Sequence, residues 1–403
     1  MRRLLLIFKL LLKAKFTFKN PREHKLVIFD DESYMNMRNF IFGYNFFLLQ
    51  TRIENINKVY LSFQIIKYFF KYYIKYFFKY DNGIIMTAYL SSLLEIVRPK
   101  VVLTNIDNSQ KFFDIAKIFD KKINFLALQN GARYPRLYKQ LYKAKKINSD
   151  LTKNYYIPNF LCFGQFEIDD YKKNGIKVKN FSKVGSLGLA NFFHHIEKNK
   201  ISLKKSLYDI CLISDLMPAG KNEEYAIPSL EEGFAKTIKY TVKFCMKHNM
   251  KMIFSWKRPK KNPKGYMEEQ VFYKQHLNDV EFNYLLSNSI EKDKFSSYKA
   301  MFQSNIVVAT YTTMLRENLG IGGKILSCNC TYSDVFDFPI EGICSIKNCN
   351  FQEFEKRLLE INSIPKENYF SRLSKNKYYV MEHNEKFSTI EILRKKIETM
   401  SKH

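Results

Sequence analysis

The chain has 403 residues, and its composition of 46% hydrophobic residues with 14 glycines and 10 prolines excludes a disordered or fibrous protein. This length predicts about two globular domains. The formal net charge of +27, from 66 Lys and Arg against 39 Asp and Glu, predicts a positive field that attracts phosphate-rich partners: nucleic acid, anionic lipid or phosphorylated small molecules.

The N-terminal sequence MRRLLLIFKLLLKAKF begins with basic residues, but Lys9 and Lys13 interrupt its apolar runs and no small-residue cleavage site follows. It is therefore not expected to be a signal peptide. No window of the chain reaches the ~18 uninterrupted apolar residues of a membrane span. We expect a cytoplasmic protein that attaches peripherally to the inner face of the cytoplasmic membrane.

The first half of the chain alternates between short apolar runs and helical patterns. The predicted strands are 25–29, 101–104, 123–128, 160–163 and 181–184, and the predicted helices are 53–80, 88–97, 110–119 and 168–174. Strand, helix and strand at crossover length are typical of a parallel sheet.

The second half repeats this alternation. The predicted strands are 209–213, 250–256, 280–286, 306–309 and 324–328, and the predicted helices are 224–249, 266–277, 294–303 and 312–319. We expect an α/β protein of two Rossmann-like open parallel-sheet domains, 1–200 and 201–350, that face each other across a cleft. A helical tail, 351–403, is expected to pack back across them.

One stretch of the helix 53–80 has a regular repeat, KYFFKYYIKYFFKY, with Lys67, Lys71, Lys75 and Lys79 four residues apart. At 100° per residue the four lysines fall within about 120° of the helix surface, and the rest is aromatic or aliphatic. The pattern favours an interfacial helix, with tyrosines at the headgroup level and lysines toward anionic phosphates. The alternative is a helix half buried against the N-terminal sheet.

A second stretch, IVVATYTTMLRENL (306–319), brings a β-branched strand to the start of a helix. Tyr311, Thr312 and Thr313 stand at that helix start, where hydroxyls cap free amides and the same amides can bind a phosphate. Glu317, one turn later, is placed to accept hydrogen bonds from ribose or sugar hydroxyls. The alternative is an ordinary capped helix with a solvated Glu317.

The segment FSWKRP (254–259) ends a predicted strand with two cations, Lys257 and Arg258. In a doubly wound domain this loop shares an edge with the start of the helix 312–319, and the combination suits a diphosphate. The alternative is a solvated basic turn.

Two strand ends in the first half are unusually polar, TNIDNS (104–109) and LQNGARY (128–134). Such groups are costly to bury unless they meet a ligand or each other. Asp107 is a candidate general base for a hydroxyl acceptor, and Arg133 a candidate for orienting an acidic group. The alternative is that Asp107 or Asn108 caps the following helix.

Other signals are weak. His194 and His195 could face the cleft, and Cys328 and Cys330 have no second cysteine pair in the sequence that would complete a metal site, so no metal site is predicted. No P-loop, GxGxxG, GxSxG or HExxH pattern supports a kinase, dehydrogenase, α/β-hydrolase or zincin. Nucleic acid is not an expected partner, because no helix-turn-helix, RNP or finger pattern accompanies the charge.

The chain resembles bacterial surface-carbohydrate biosynthesis proteins of the GT-B glycosyltransferase type, related to the CDP-glycerol glycerophosphotransferases. The resemblance rests on VVLTNIDNSQKFF, FLALQNGARY, FLCFGQFE, KVGSLGL, YDICLIS and ATYTTMLRENLGIGGKILSCN, which together span roughly 101–329. One departure is the turn Trp256-Lys-Arg-Pro259, where many relatives have a Lys-Pro-His-Pro-like sequence, so that Arg258 would have to replace a histidine.

The resemblance implies a donor site in the second domain, an acceptor site in the first and transfer across the cleft without a metal. The expected donor contacts are Gly185, Ser186, Ser214, Lys257, Arg258, Tyr311, Thr312, Thr313 and Glu317. The expected acceptor contacts are Asn108, Gln129, Asn130 and Arg133, with Asp107 as the base.

The function expected on this basis is transfer of a sugar from a nucleotide-activated donor, CMP-, UDP- or CDP-linked, to a lipid-linked glycan in cell-surface polysaccharide or lipopolysaccharide synthesis. No cofactor beyond the donor substrate is expected. A nucleotide-sugar 2-epimerase and a non-catalytic membrane-bound scaffold of the same fold remain the alternatives.

Overall fold

The computed structural model describes residues 12–77, 84–133, 155–216, 230–291, 293–384 and 388–402. The strands are β1 Lys15–Thr17, β2 Leu26–Phe29, β3 Phe46–Leu49, β4 Lys58–Tyr60, β5 Val101–Thr104, β6 Asn124–Leu128, β7 Tyr156–Cys162, β8 Lys177–Lys183, β9 Tyr208–Ile213, β10 Met252–Ser255, β11 Ser289–Ile290, β12 Ser304–Ala309, β13 Lys324–Asn329 and β14 Ser345–Lys347.

The α-helices are α1 Asp31–Ile41, α2 Phe63–Phe77, α3 Ile84–Val97, α4 Gln110–Phe119, α5 Gln165–Lys173, α6 Leu187–Lys198, α7 Leu230–Lys247, α8 Pro263–His276, α9 Asp279–Ser287, α10 Ser296–Phe302, α11 Thr313–Gly320, α12 Phe351–Ser363, α13 Lys366–Ser371 and α14 Thr389–Lys402. Short 3-10 turns occur at Ile53–Asn55, Asp334–Phe336 and Lys377–Tyr379.

Two six-stranded sheets organise the chain, one in each half. The first has the order β3-β2-β5-β6-β7-β8 and the second β11-β10-β9-β12-β13-β14, and every pairing in both is parallel. The central strands are apolar over most of their length, because helices cover both faces of a parallel sheet. In β5, for example, all four residues are buried.

The order of strands reverses between β2 and β5 in the first sheet and between β9 and β12 in the second. Ligands of open α/β sheets bind beyond the carboxyl ends of the strands at such switch points. The fold therefore predicts ligand contacts in the loops after β2 and β5 and in those after β9 and β12.

The last helix, α14, returns to the first sheet. Leu393 and Ile397 are buried in the same core cluster as Met37 and Phe40 of α1. Two open parallel-sheet domains with a C-terminal helix packed back on the first is the GT-B arrangement, so the predicted fold class is confirmed. The predicted boundaries at 200 and 350 stay predictions.

The prediction of a strand at 280–286 is wrong, because this segment is helix α9. Asn278 accepts a hydrogen bond from the Glu281 amide at 2.8 Å and donates its own amide to the Glu281 carboxylate at 3.1 Å. This reciprocal capping starts a helix and outweighs the strand propensity of its Val, Phe and Tyr residues.

The prediction of one helix over 53–80 is also wrong in its first part. A 3-10 turn and strand β4 precede α2, which begins at Phe63. Residues 78–80 lie outside the described part of the chain. None of the described helices has both the length and the apolar character needed to cross a bilayer.

Candidate active site between the two sheets

A cavity of about 190 Å³ lies between the carboxyl edges of the two sheets. The first domain lines it with Asn36, Asn105, Gln129, Asn130, Ser186, Leu187, Gly188 and Asn191, and the second with Tyr298, Thr313, Met314 and Glu317. Most of these side chains are amides or hydroxyls, which can both donate and accept hydrogen bonds. The wall therefore suits a polyhydroxylated ligand.

Glu317 is the ionisable carboxyl group on this wall, and it is 2% exposed. Its Oε1 accepts hydrogen bonds from the Tyr298 hydroxyl at 2.9 Å and from the Ser186 hydroxyl. Its Oε2 is buried and has no hydrogen-bond partner among the described residues. Burial raises the pKa of Glu317 from 4.5 to about 6, while the bonds from Ser186 and Tyr298 oppose the rise. One carboxylate oxygen is thus held in place, and the other is a buried acceptor whose hydrogen-bonding capacity is not used by the described residues.

A buried ion pair between the domains positions the helix that carries Glu317. Arg316 of α11 contacts Glu167 of α5, and both side chains are fully buried. The Arg316 guanidinium carbon lies 4.8 Å from the centre of the Phe166 ring. Glu167 also accepts hydrogen bonds from the Gln129 side chain at 3.2 Å and the Gly164 amide at 3.1 Å. The pair therefore fixes α11 against the first domain.

Ser186 serves both the first domain and the site. Its hydroxyl accepts a hydrogen bond from the Leu189 amide at 3.2 Å, capping α6, and it also bonds to Glu317. Two residues later, a Cβ at Gly188 would collide with the Tyr298 hydroxyl. The two predicted donor contacts Ser186 and Glu317 are therefore brought together, and Tyr298, which the sequence analysis missed, completes the group.

Gly185 has a structural explanation, and its predicted contact with the donor stays a prediction. Its φ is +74°, and a Cβ there would collide with the carbonyl of Glu382 in the C-terminal segment. Gly185 is not among the residues that line the cavity. A glycine is required here because the C-terminal segment packs too close for a side chain and because the backbone has a positive φ.

The backbone that leads into α11 is held by one of the protein's own carboxylates, and the phosphate site expected at the helix start stays a prediction. Asp215, two residues after β9, accepts hydrogen bonds from the amides of Thr310 at 2.8 Å and Tyr311 at 2.9 Å. The Lys257 ammonium donates to the Asp215 carbonyl at 3.2 Å. Burial raises the pKa of Asp215, and Lys257 together with these amides opposes the rise. Lys257 and Tyr311, which were predicted to contact the donor together, do lie close to each other at the switch point, where both bond to Asp215.

The turn after β10 is held in a similar way. The buried Glu269 accepts hydrogen bonds from the amides of Lys257 at 3.0 Å and Arg258 at 2.9 Å. Ser214 lies 2.6 Å from the Tyr273 hydroxyl and is buried. Neither Ser214 nor Arg258 lines the Glu317 cavity. Glu269 thus fixes the backbone of the turn, while the Lys257 side chain bonds to the Asp215 carbonyl.

Thr312 and Thr313 begin α11 as predicted. Thr312 is the N-cap residue. Thr313 lines the cavity, and its hydroxyl accepts a hydrogen bond from the Ala132 amide of the first domain at 2.8 Å. The loop after β6 and the start of α11 are therefore tied together across the cavity.

Asp107 and Arg133 form a two-pronged ion pair. The Arg133 Nη2 lies 2.8 Å from Oδ1 of Asp107, and its Nε lies 3.1 Å from Oδ2. The Asn130 amide also donates to Oδ1, at 3.3 Å. The alternative that Asp107 or Asn108 caps α4 is wrong, because Ser109 does so through the Phe112 amide. Asn108 is exposed beside it.

A second cavity, of about 470 Å³, is lined by cations from both domains. It contains Arg38, His194, His195, Lys198, Lys294 and Lys299, with Asp293 among them. Burial, and after it the charge of Arg38, lowers the pKa of Lys294. The Asn39 side chain on its wall donates to Asn191, which lines the Glu317 cavity, at 2.9 Å. We call this second cavity the basic cavity; it adjoins the Glu317 cavity through that amide pair.

Helix α2 packs one face on the first domain and exposes the other. Tyr72 and Tyr76 are buried, and their hydroxyls bond to Glu95 and, at 2.8 Å, to Ser91. The expectation that the tyrosines lie at a headgroup level is wrong for these two. Lys67, Lys71 and Lys75 are exposed, whereas Lys79 lies outside the described residues.

The exposed face of α2 is rich in large apolar side chains. Phe63, Ile66, Phe70, Ile74 and Phe77 are exposed there, and Ile85 is exposed at the start of α3. Phe63 is 82% and Ile85 68% accessible. Exposed apolar groups clustered among lysines are typical of an interaction surface.

No family model matches the chain, and no curated protein matches it by sequence. Among solved structures, UDP-GlcNAc 2-epimerase from Neisseria meningitidis bound to UDP-GlcNAc is similar at 14% identity and a TM-score of 0.48, over 94% of this chain and 99% of that one. A glycosyltransferase from Rickettsia africae has 10% identity and a TM-score of 0.45, over 95% and 99%. A variant of the wall teichoic acid polymerase TagF has 9% identity and a TM-score of 0.48, over 94% and 90%. Likenesses at this level do not bear on substrate or activity.

Proposed function

We propose that the protein is a glycosyltransferase that moves a sugar from a nucleotide-activated donor to a lipid-linked glycan acceptor. The observation that carries the proposal is Glu317, a buried carboxyl group on the wall of a cavity between the carboxyl edges of two parallel sheets, with one oxygen that has no hydrogen-bond partner among the described residues. A carboxylate in that setting accepts the paired hydroxyls of a ribose or a sugar strongly, since charged hydrogen bonds are worth about 1.5–3 kcal/mol. The side-chain amides of Asn105 and Asn130 on the facing wall suit further sugar hydroxyls, whereas the Gln129 amide already bonds to Gly131, Glu167 and Phe163.

The phosphates of the substrate have two candidate positions in this proposal. The basic cavity adjoins the Glu317 cavity and collects cations from both domains, which favours a phosphorylated ligand that spans them. The side chains of Lys257 and Arg258, half-buried at the edge of the second sheet, are the other position. Two double variants distinguish these positions: Lys198→Ala with Lys294→Ala in the basic cavity, and Lys257→Ala with Arg258→Ala at the edge of the second sheet. The pair whose loss weakens donor binding more marks the phosphate position.

The acceptor hydroxyl needs a base, and the candidate is Asp107. Both oxygens of Asp107 are bonded to Arg133. In the proposed reaction Arg133 turns to an acidic group of the acceptor, which frees the carboxylate to take the proton. No metal ion takes part in this proposal. Transfer should therefore fall in Asp107→Asn, while donor binding stays at the wild-type level.

A donor screen tests the proposal. The purified full chain is incubated with UDP-, GDP-, CMP- and CDP-linked sugars, and thermal stability, donor hydrolysis and transfer to a lipid-linked glycan are measured. We expect one nucleotide class to stabilise the protein, by about 2.7 kcal/mol at a concentration of 100 Kd, and to be turned over. Conversion of the donor to its 2-epimer without acceptor would establish the epimerase alternative. If none of the donors stabilises the protein, the glycosyltransferase and the epimerase are both excluded, and the non-catalytic scaffold remains.

We further propose that the exposed face of α2 and the start of α3 rest on an anionic membrane, where a soluble enzyme would meet a lipid-anchored acceptor. The apolar side chains would enter the interface while Lys67, Lys71 and Lys75 contact lipid phosphates. Each lysine near such a surface contributes about 1 kcal/mol of binding.

Replacing Lys67 and Lys75 by Gln should therefore weaken binding to phosphatidylserine vesicles by about 30-fold at low ionic strength. Sedimentation with vesicles measures the effect. Lys172→Gln with Lys173→Gln, an equal loss of charge from exposed positions on α5, is the matched control and should change binding little. Equal losses from both pairs would mean that net charge, and not the α2 surface, attracts the membrane.

A further inference from the structure

Three cysteines that are far apart in the sequence meet in the second domain. Cys328 is in β13, Cys330 follows that strand, and Cys349 lies between β14 and α12. Their sulfur atoms are 3.7, 3.9 and 4.0 Å apart in the three pairs. All three are buried free thiols, and Cys349 is the most accessible at 7%. The fold thus adds to Cys328 and Cys330 the third thiol that the local sequence pattern lacks.

The size of this triangle fits a metal ion. A zinc–thiolate bond is about 2.3 Å, which separates sulfurs by about 3.8 Å in a tetrahedral site and about 4.0 Å in a trigonal one. A disulfide needs about 2.05 Å, so any of the pairs would have to close by well over 1 Å to form one. Simple packing can bring two thiols to such a separation, but it does not require three of them to close a triangle of nearly equal sides.

The backbone on either side of the cluster is already ordered. The Asn348 amide donates to the Asn329 carbonyl at 2.8 Å, and the Tyr332 amide donates to the Asn348 side chain at 3.1 Å. The Asn329 side chain accepts hydrogen bonds from the amide and the hydroxyl of Thr331 at 3.0 and 2.7 Å. The two loops that carry the cysteines are tied to each other, which is how rigid metal sites are held.

The ligand set and its surroundings favour a soft ion. The group contains sulfur ligands alone, with neither a histidine nor a carboxylate. Such a set selects zinc or monovalent copper over magnesium or calcium. Lysines of α7 border the cluster: the Lys236 ammonium lies 5.4 Å from the Tyr332 ring, and that of Lys243 lies 4.3 Å from the Phe351 ring. Their charge offsets the negative charge of three thiolates around one cation.

We propose that Cys328, Cys330 and Cys349 bind a single d10 metal ion, either Cu⁺ with the three thiolates alone or Zn²⁺ with a water molecule as its fourth ligand. The ion would link the end of β13 to the connection between β14 and α12. None of the three cysteines lines the Glu317 cavity. The proposal is therefore independent of glycosyl transfer and can fail or succeed separately from it.

Metal titration of the reduced full chain tests the site. Co²⁺, as a coloured substitute for Zn²⁺, should bind at one equivalent with thiolate charge-transfer and tetrahedral absorption bands, and Zn²⁺ should displace it. Cu⁺ is titrated separately against a chromophoric chelator, and the tighter of the two ions identifies the occupant. Cys349→Ser should weaken binding by more than about 100-fold, since even neighbours of metal ligands contribute 10- to 100-fold.

The control variant is Cys245→Ser, which removes a buried thiol of the same domain outside the cluster. It should keep one equivalent of metal. If Cys349→Ser does not fold, alkylation of the wild type gives the answer: bound metal should protect the three cysteines together and leave the labelling of Cys245 unchanged. The proposal would be overturned if both ions bound at less than one equivalent, or if Cys349→Ser bound the tighter ion as well as the wild type does. A disulfide within the cluster in protein isolated without reductant and without metal would also overturn it.

Discussion

Replacing Glu317 by Gln should weaken donor binding about 10- to 150-fold, which is the value of one hydrogen bond to a charged group. The substitution keeps the shape of the side chain and an oxygen that Tyr298 and Ser186 can still bond. It removes the negative charge that would attract ligand hydroxyls at Oε2. Donor titration monitored by thermal stability, and the KM for donor in a transfer assay, measure the change. Glu268→Gln, on the exposed face of α8, is the matched control and should behave like the wild type.

The same variant should change how stability depends on pH. Burial raises the pKa of Glu317 to about 6 from 4.5, so the folded protein holds this proton across a window in which the unfolded chain has lost it. The contribution of the group to stability therefore falls as the pH rises from about 4.5 to about 6, by about 2 kcal/mol in all. Glu317→Gln has no such titration. The free energy of unfolding of Glu317→Gln minus that of the wild type should therefore be larger at pH 7 than at pH 4.5.

Thermal unfolding of the wild type and of both Gln variants between pH 4.5 and 7.5 tests this expectation. Parallel curves for wild type and Glu317→Gln would show that the carboxyl group does not titrate in this window. Unchanged KM for donor in Glu317→Gln would remove this residue from the proposed donor site, whatever the stability shows.

The elements of the fold follow from local patterns, and most of them could be predicted. Apolar runs such as 101–104 and 306–309 became central strands because only a sheet covered on both faces buries every residue. The error at 280–286 arose where one local signal opposed another: strand-forming side chains suggested a strand, but the capping pair Asn278 and Glu281 starts a helix.

The site could be predicted only in part, because its decisive contacts join distant residues. The sequence analysis identified Ser186 and Glu317 separately, 131 positions apart, but not their contact with each other or with Tyr298. Asp215 accepts hydrogen bonds from the amides that lead into α11, and Glu269 from the backbone amides of the turn that carries the two cations expected to bind phosphate. Their partners depend on strand order, which no local pattern contains. An acidic residue immediately beyond a buried strand, as Asp215 is beyond β9, is the signal that could have suggested such a role.

The contact between Arg316 and Glu167 is the second place where a large effect is expected. Arg316→Met should lower the free energy of unfolding by about 3–5 kcal/mol, because it leaves the fully buried Glu167 carboxyl group without its counter-charge. Urea unfolding measures the loss. Trp256 is the single tryptophan and reports on the second domain, while circular dichroism reports on the whole chain. A common transition for both signals justifies a two-state free energy.

The matched control is an exposed ion pair within the first domain, Arg98 with Glu23 at 3.0 Å, whose side chains are 73% and 67% accessible. Arg98→Met should cost less than about 1 kcal/mol. If Arg316→Met lowers the free energy of unfolding by a similarly small amount, then water or a shift of the domains replaces the counter-charge that the Glu167 carboxyl group has lost.

The double variant, Glu167→Leu with Arg316→Met, distinguishes the effect of an unpaired buried charge from the effect of the ion pair on the position of α11. An apolar pair of similar volume removes the cost of burying two charges, but it also removes the acceptor of the Gly164 amide and the Gln129 side chain, so the double variant should recover only part of the stability that Arg316→Met loses. Transfer activity then shows what the ion pair is for. Glu317 follows Arg316 directly in α11, so any shift of this helix against the first domain moves the Glu317 carboxylate away from Ser186. Stability recovered with a raised KM for donor would show that the pair positions Glu317, whereas recovery of both would show that it only holds the domains together.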